Sequence, residues 1–178
     1  MRILIRNFLK CSIFLILSVA MLSSCHSSKK VTRWEDPIYA RKEEPKSNHP
    51  SSSASKAEQK VIDAACAWIG VPYKYGGNTR SGVDCSGLVC MAFETGAGIK
   101  LPRSSHEQAQ WCKTIARNKA KPGDLMFFSN QKGGRINHVA IYLGDGRVVH
   151  STSSRGVIIS SLDESYWSSH YHSCGRVF

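Results

Sequence analysis

The chain is short of several things, and each shortage argues against a class of protein. Acidic side chains are few, 13 against 24 lysines and arginines, for a formal net charge of +11 in 178 residues. Such a balance suits anionic surroundings such as a cell wall, lipid headgroups or nucleic acid, and it also serves plain solubility. Yet no basic run is interleaved with aromatics, and no nucleic-acid fold signature occurs. No C-x-x-C pair occurs among the seven cysteines, whose spacings are irregular, which argues against a zinc ribbon or knuckle. No H-E-x-x-H or similar metal-ligand spacing is present, and nothing calls for a cofactor. The apolar run Cys11 to Leu22, about twelve residues, is too short for a typical membrane span. There is no internal repeat.

What is present begins with an export signal over residues 1–24. Arg2, Arg6 and Lys10 form a basic region ahead of the apolar run. Leu22-Ser23-Ser24-Cys25 follows at once and resembles a bacterial lipobox, in which the cysteine is lipidated and becomes the first residue of the mature chain. Acyl chains on Cys25 would hold the protein on a membrane. Residues 25–57 read as a disordered linker rich in Ser, Lys, Glu and Pro. As a flexible coil it spans roughly 30 Å. Trp34 and Tyr39 have no assigned task within it.

The folded domain is read as residues 58–178. Ser55-Lys56-Ala57-Glu58 fits a capping box, Val61, Ile62, Ala65, Trp68 and Ile69 mark one helical face, and Gly70 closes it. Val71 to Asn78 reads as a loop. A second helix starts at Asp84 or Cys85, runs through Leu88, Val89, Ala92 and Phe93, and ends around Gly96 to Gly98. Ser104-Ser105-His106-Glu107 is a second capping box, opening a helix to about Trp111-Cys112. The pattern then switches to strands at Leu125–Phe128, His138–Leu143, Arg147–Ser151, Gly156–Ser160 and Ser173–Phe178, with a helical turn at Ser165-Tyr166-Trp167. Helices first and antiparallel strands after make an α+β domain.

Val83-Asp84-Cys85-Ser86-Gly87-Leu88-Val89 carries the chemistry. A thiol at a helix start meets free backbone N–H groups and the positive end of the dipole, both of which favour the nucleophilic thiolate. It needs a base that also protonates the leaving group, which histidine suits. Of His106, His138, His150, His170 and His172, His138 opens a strand that places it with Ala140 and Tyr142 on one face. The following hairpin decides His150. A two-residue loop, Asp145-Gly146, would turn His150 away. A three-residue loop, Gly144-Asp145-Gly146, would set it on the face of His138, about 7–8 Å away between backbones. The three-residue loop is the one expected, which gives His150 the orienting role of a triad. Cys66, Cys90, Cys112 and Cys174 are read as packing residues, although Cys66, Cys112 and Cys174 could pair in an oxidising compartment.

Five motifs together resemble a family. Asp84-Cys85-Ser86-Gly87, Leu101-Pro102-Arg103, Pro122-Gly123-Asp124-Leu125 with Phe127-Phe128, His138 to Gly144, and His150 stand in the order and spacing of NlpC-type cell-wall cysteine peptidases. The resemblance covers about residues 58–178. It implies a papain-like core, N-terminal helices packed on an antiparallel sheet, with Cys85 as nucleophile, His138 as base and His150 as the polar residue orienting it. It further implies Tyr73 beside the cysteine, its hydroxyl helping the oxyanion, and Asp84 and Ser86 lining the substrate cleft. The Cys85 N–H is the natural oxyanion donor. Arg103 matches a family position without an assigned role. The expected activity is hydrolysis of peptidoglycan stem peptides through a thioester. The rivals are an amidase or acyltransferase on the same core, or a non-catalytic wall-binding lipoprotein. The protein is expected to be a monomer held in the cell envelope by its lipid and facing the periplasm. No separate wall-binding module is recognised.

Overall fold

The computed structural model describes residues 54–131 and 133–178. The export signal, Cys25, and the linker up to residue 53 lie outside the described residues.

Helix α1 (Lys56–Cys66) begins at the expected capping box: Glu58 N–H donates to Ser55 Oγ, and Ser55 N–H donates back to the Glu58 carboxylate. Its apolar stripe, Val61, Ile62 and Ala65, is buried. A short hairpin follows, β1 (Asn78–Thr79) with β2 (Gly82–Val83), at the end of the stretch read as loop and sharing only Asn78 with it. Helix α2 (Cys85–Ala97) ends at Gly98, whose φ of 68° is the left-handed cap expected there. Leu88, Val89, Ala92 and Phe93 are all at most 1% exposed, so α2 lies in the middle of the core. Burying each of the larger of these side chains contributes about 1.5–3 kcal/mol. Gly96 permits the contact with α1: a Cβ there would stand 2.7 Å from the Val61 backbone. Helix α3 (Ser105–Trp111) starts at the second capping box, Ser104 with Glu107.

The chain continues with β3 (Lys113–Ile115), β4 (Leu125–Ser129), β5 (Ile136–Gly144), β6 (Arg147–Thr152) and β7 (Gly156–Ser161), then helix α4 (Ser165–His170) and β8 (Tyr171–Arg176). Strands β3 to β8 form one antiparallel sheet in the order β3-β8-β4-β5-β6-β7. The last strand thus enters the middle of the sheet. It is anchored there by Arg176, whose guanidinium donates to both oxygens of buried Asp124 at 2.8 and 2.7 Å. Strand β8 starts two residues earlier than expected, and β3, at three residues too short to show a period, was not foreseen.

The sheet separates two apolar clusters. Leu125, Phe127, Val139, Ile141, Val149 and Val157 face α1 and α2. Met126, Phe128, Ala140, Tyr142, Val148 and Cys174 face the other way, where Leu162 and Trp167 join them. This is the alternation read for β5, and the α+β class is the one expected.

Candidate active site

Asp84 is the N-cap of α2 and accepts from Gly87 N–H at 2.6 Å, which sets Cys85 as the first helical residue. Gly87 is required at this bend, because a Cβ there would fall 2.3 Å from the Gly77 carbonyl oxygen. The Asp84 carboxylate also accepts from Gly76 N–H at 2.8 Å, from Ser86 Oγ at 3.2 Å, and from both terminal nitrogens of Arg103 at 2.9 and 2.8 Å. Arg103 further donates to Ser86 Oγ and to the Gly77 carbonyl. Burial works against this carboxylate, but the Arg103 and Gly87 hydrogen bonds outweigh it and hold its pKa below the usual value.

Cys85 is 9% exposed and lines a cavity of about 370 Å³ together with Tyr73 and His138. Asp84 and Ser86 do not line that cavity. Their polar atoms engage the helix cap and Arg103. The thiol also departs from expectation. Burial pushes its pKa up, and the charge of Asp84 adds to the rise, while the backbone N–H groups of Val139, Ser86 and Cys85 pull the other way. The helix start does favour the anion, as read, but desolvation is the larger effect. Tyr73 pairs with Val83 in a single bridge. Burial first, then the nearby Cys85 and Asp84, raises its pKa, so at neutral pH its hydroxyl is a donor.

The imidazoles come from the sheet. His138 Nε2 lies 2.8 Å from His150 Nδ1. His150 is fully buried, and its Nε2 lies 3.1 Å from Ser160 Oγ. The hairpin reaches this arrangement by a route the sequence reading did not weigh. Gly144 pairs with Arg147 across a two-residue turn, Asp145-Gly146, with both φ values positive at 50° and 71°. That turn alone would send His150 to the wrong face. A bulge between Tyr142 and Gly144 inserts Leu143, after which Tyr142 pairs with Val148 and Ile141 with Val149. Continued one step, that register sets His150 opposite Ala140. A second irregularity flanks His138, which pairs with Phe128 while Ile136 pairs with Ser129.

Trp167 on α4 packs on both rings. It stacks on His138 at 5.2 Å between centroids and meets His150 edge-on at 4.5 Å. Burial draws the His138 pKa down to about 4. His150 is lowered well below its ordinary value, first by burial, then by His138 and Arg155. The free site at neutral pH is therefore a thiol beside neutral imidazoles. With Nε2 of His138 engaged by His150, Nδ1 is the ring nitrogen left to take a proton.

A family model described as the NlpC/P60 family matches residues 70–176. The chain belongs to the NlpC/P60 family. It is 42% identical over 120 residues to the Escherichia coli K12 protein named murein DD-endopeptidase MepS/murein LD-carboxypeptidase, a match covering 67% of this chain and 63% of that protein. The chain thus spans 63% of that relative's length. Among solved structures it is similar to the peptidoglycan hydrolase RipB of Mycobacterium tuberculosis, with a TM-score of 0.59, 32% identity, and 68% of this chain and 65% of that chain covered. It is also similar to RipD of the same organism, described as a non-catalytic NlpC/p60 domain protein adapted to peptidoglycan binding, with a TM-score of 0.59, 28% identity, and 70% and 100% covered.

Within this NlpC/P60 site, three residues escaped the sequence reading of function. Arg103 matches a family position but has no local cue to its role, and Ser160 and Trp167 carry no motif beyond a strand and a helical turn. Ser160 shares a face of β7 with half-buried Ile158, and no local pattern marks it as buried. His106 and His172 do not line the cavity that Cys85 and His138 share, whereas His170 does. His106 contacts Gln110, His170 stacks on Tyr166 at the cavity rim, and His172 contacts Ser173. Cys66, Cys85, Cys90, Cys112 and Cys174 are all free thiols. Burial pushes Cys66 and Cys112 to about 11 and Cys174 to about 12, which leaves them protonated. Among the described residues no cluster of His, Cys, Asp and Glu could hold a metal ion.

Proposed function

We propose that the chain is a cysteine peptidase of the cell envelope that hydrolyses amide bonds in peptidoglycan stem peptides. The observation that carries this reading is a helix-start cysteine and a histidine, His138, that line one cavity in an NlpC/P60 domain, with His138 hydrogen-bonded to buried His150 behind it. His138 Nδ1 takes the Cys85 proton as the sulfur attacks the substrate carbonyl carbon. The Cys85 N–H and the Tyr73 hydroxyl then donate to the oxyanion, a role supported by both residues lining the same cavity. The C–N bond then breaks, the imidazolium gives its proton to the leaving amine, and a thioester remains on Cys85. Water, deprotonated by the same imidazole, releases the acid and restores the thiol. The raised thiol and lowered imidazole pKa values mean that proton transfer accompanies attack.

The cavity walls are polar around Asn130, Asn137, Ser153 and Arg155, which suits a peptide better than a lipid chain. This favours peptide hydrolysis over the acyltransferase alternative, and a pure wall binder has no use for a thiol and two imidazoles. In the whole protein, residues 1–24 act as a lipoprotein signal peptide, lipidated Cys25 anchors the chain, and a linker carries the peptidase domain, which starts at the Ser55 cap of α1, toward the wall as a monomer.

The test is the purified full chain incubated with muropeptides, with products read by mass spectrometry, beside Cys85→Ala. Cleavage by the wild type alone is the expected result. Equal cleavage by both rejects the reading, and acyl transfer to a lipid in place of hydrolysis replaces it with the acyltransferase. Cys25→Ala should move the protein out of the membrane fraction, and its retention there would refute the anchor.

A further inference from the structure

Ser160 is a buried polar side chain to which the mechanism above gives no task. It lies on β7, 4% exposed, opposite Val148. Its Oγ stands 3.1 Å from His150 Nε2, and His150 Nδ1 stands 2.8 Å from His138 Nε2. The three groups form one hydrogen-bonded chain leading away from the cavity, with His150 fully buried at its centre.

We propose that Ser160 is a positioning residue that accepts from His150 Nε2–H and thereby holds His150 in the tautomer whose Nδ1 accepts from His138. The proposal rests on the reading of Cys85 as nucleophile and His138 as base. Its physical ground is an ambiguity peculiar to histidine. A carboxylate in the orienting position can only accept, whereas a neutral imidazole carries its one hydrogen on either nitrogen. With that hydrogen on Nδ1, His150 would donate to His138 Nε2. His138 would then carry its own hydrogen on Nδ1 and would have no lone pair for the thiol proton. With the hydrogen on His150 Nε2, His138 is protonated on Nε2 and its Nδ1 is a base.

The demand sharpens once His138 has taken the proton. The imidazolium donates from Nε2, so His150 must accept at Nδ1 and donate from Nε2, and the acceptor in reach is Ser160 Oγ. Without that oxygen a buried N–H loses its partner in the very state formed during acyl transfer. The penalty falls on the transition state and leaves substrate binding alone. Trp167, packed against both rings, covers the pair. The titratable and charged groups around it are Cys85 from α2, Tyr73 from the preceding loop, Arg155 from the β6–β7 turn, and Glu164, Tyr166 and His170 from α4 and its start.

The experiment uses the full chain. Ser160→Ala should lower kcat on muropeptides by about tenfold to a hundredfold with KM unchanged. It should also move the acid limb of kcat/KM to lower pH, because the imidazolium has lost support and protonates less readily. Ser160→Thr, which keeps the hydroxyl, should restore both. An Ala variant with wild-type kcat and an unmoved acid limb overturns the proposal. Long-range proton–nitrogen spectra of the wild type provide a test independent of activity and of variant folding. His138 and His150 should both carry their hydrogen on Nε2, and His150 protonated on Nδ1 overturns the proposal. If the wild type cleaves no muropeptide, the hydrolase reading fails by itself while these spectra still decide the role of Ser160.

Discussion

The sulfur of Cys85 and the ring of His138 border the same cavity, yet the chain secures them by opposite means. The helix half is wired by charge and backbone. Asp84 caps α2, Arg103 grips Asp84 with two nitrogens, and backbone N–H groups surround the sulfur. Apart from the Val139 N–H, its parts lie between Gly76 and Arg103. The sheet half is neutral. His138, His150 and Ser160 sit on three strands, under Trp167 from a fourth element. Burial drives the Cys85 thiol and the His138 ring toward their uncharged forms, so neither half relies on a standing ion pair across the cavity. The difference implies that damage to the helix half appears first as lost stability, and damage to the sheet half as lost rate.

The comparison is broken most severely at the base. His138→Ala should lower kcat/KM by about 10⁴-fold or more with little change in thermal midpoint, and steady-state assays on muropeptides would show it. A variant within tenfold of wild type would remove His138 from the chemistry. In the wild type the same residue should set the acid limb. Protonation of His138 abolishes the base, so activity should hold as pH falls through 6.5 and decline as it approaches about 4.

The helix half should respond in stability. Asp84→Ala removes a cap and leaves Arg103 without its partner, a loss of about 2–4 kcal/mol by denaturant unfolding. The Asp84 pKa is depressed in the folded state, so its contribution is present above the unfolded carboxylate value and is lost as pH falls through the folded one. The gap between wild type and variant should therefore narrow in acid. A gap independent of pH would show that the cap geometry matters and the charge does not.

Smaller effects refine the contrast. Trp167→Leu keeps an apolar cover but loses the stacking. It should cost about tenfold in kcat and move the acid limb upward, toward 6.5, as water reaches the His138 ring. That shift is opposite in sign to the one expected for Ser160→Ala. Ser104→Ala opens an exposed helix start away from the cavity. It should cost about 1 kcal/mol with activity unchanged, which makes it the control for Asp84.

Much of this was legible in the residues. Both capping boxes, the Gly98 stop and the alternation of His138, Val139, Ala140 and Ile141 are consequences of neighbours within a few positions. The motif around Cys85 was legible for the same reason. What the sequence reading missed lay at longer range. Arg103 reaches back 19 residues to Asp84, and Ser160 becomes relevant only when β7 lies beside β6. The hairpin shows how a parity argument can reach an arrangement by the wrong route. The turn has two residues, and Leu143, bulged from the ladder, supplies the odd count.

From its residues alone the chain announced an α+β domain, helices first, with a cysteine at the mouth of an apolar helix and histidines on a strand, because caps, turns and periodicity act locally. Folding decided that β8 enters between β3 and β4, that Arg103, Ser160 and Trp167 gather around the site, and that the thiol and imidazole stay uncharged. Those outcomes depend on burial and strand register, which are set by contacts between residues far apart in the chain.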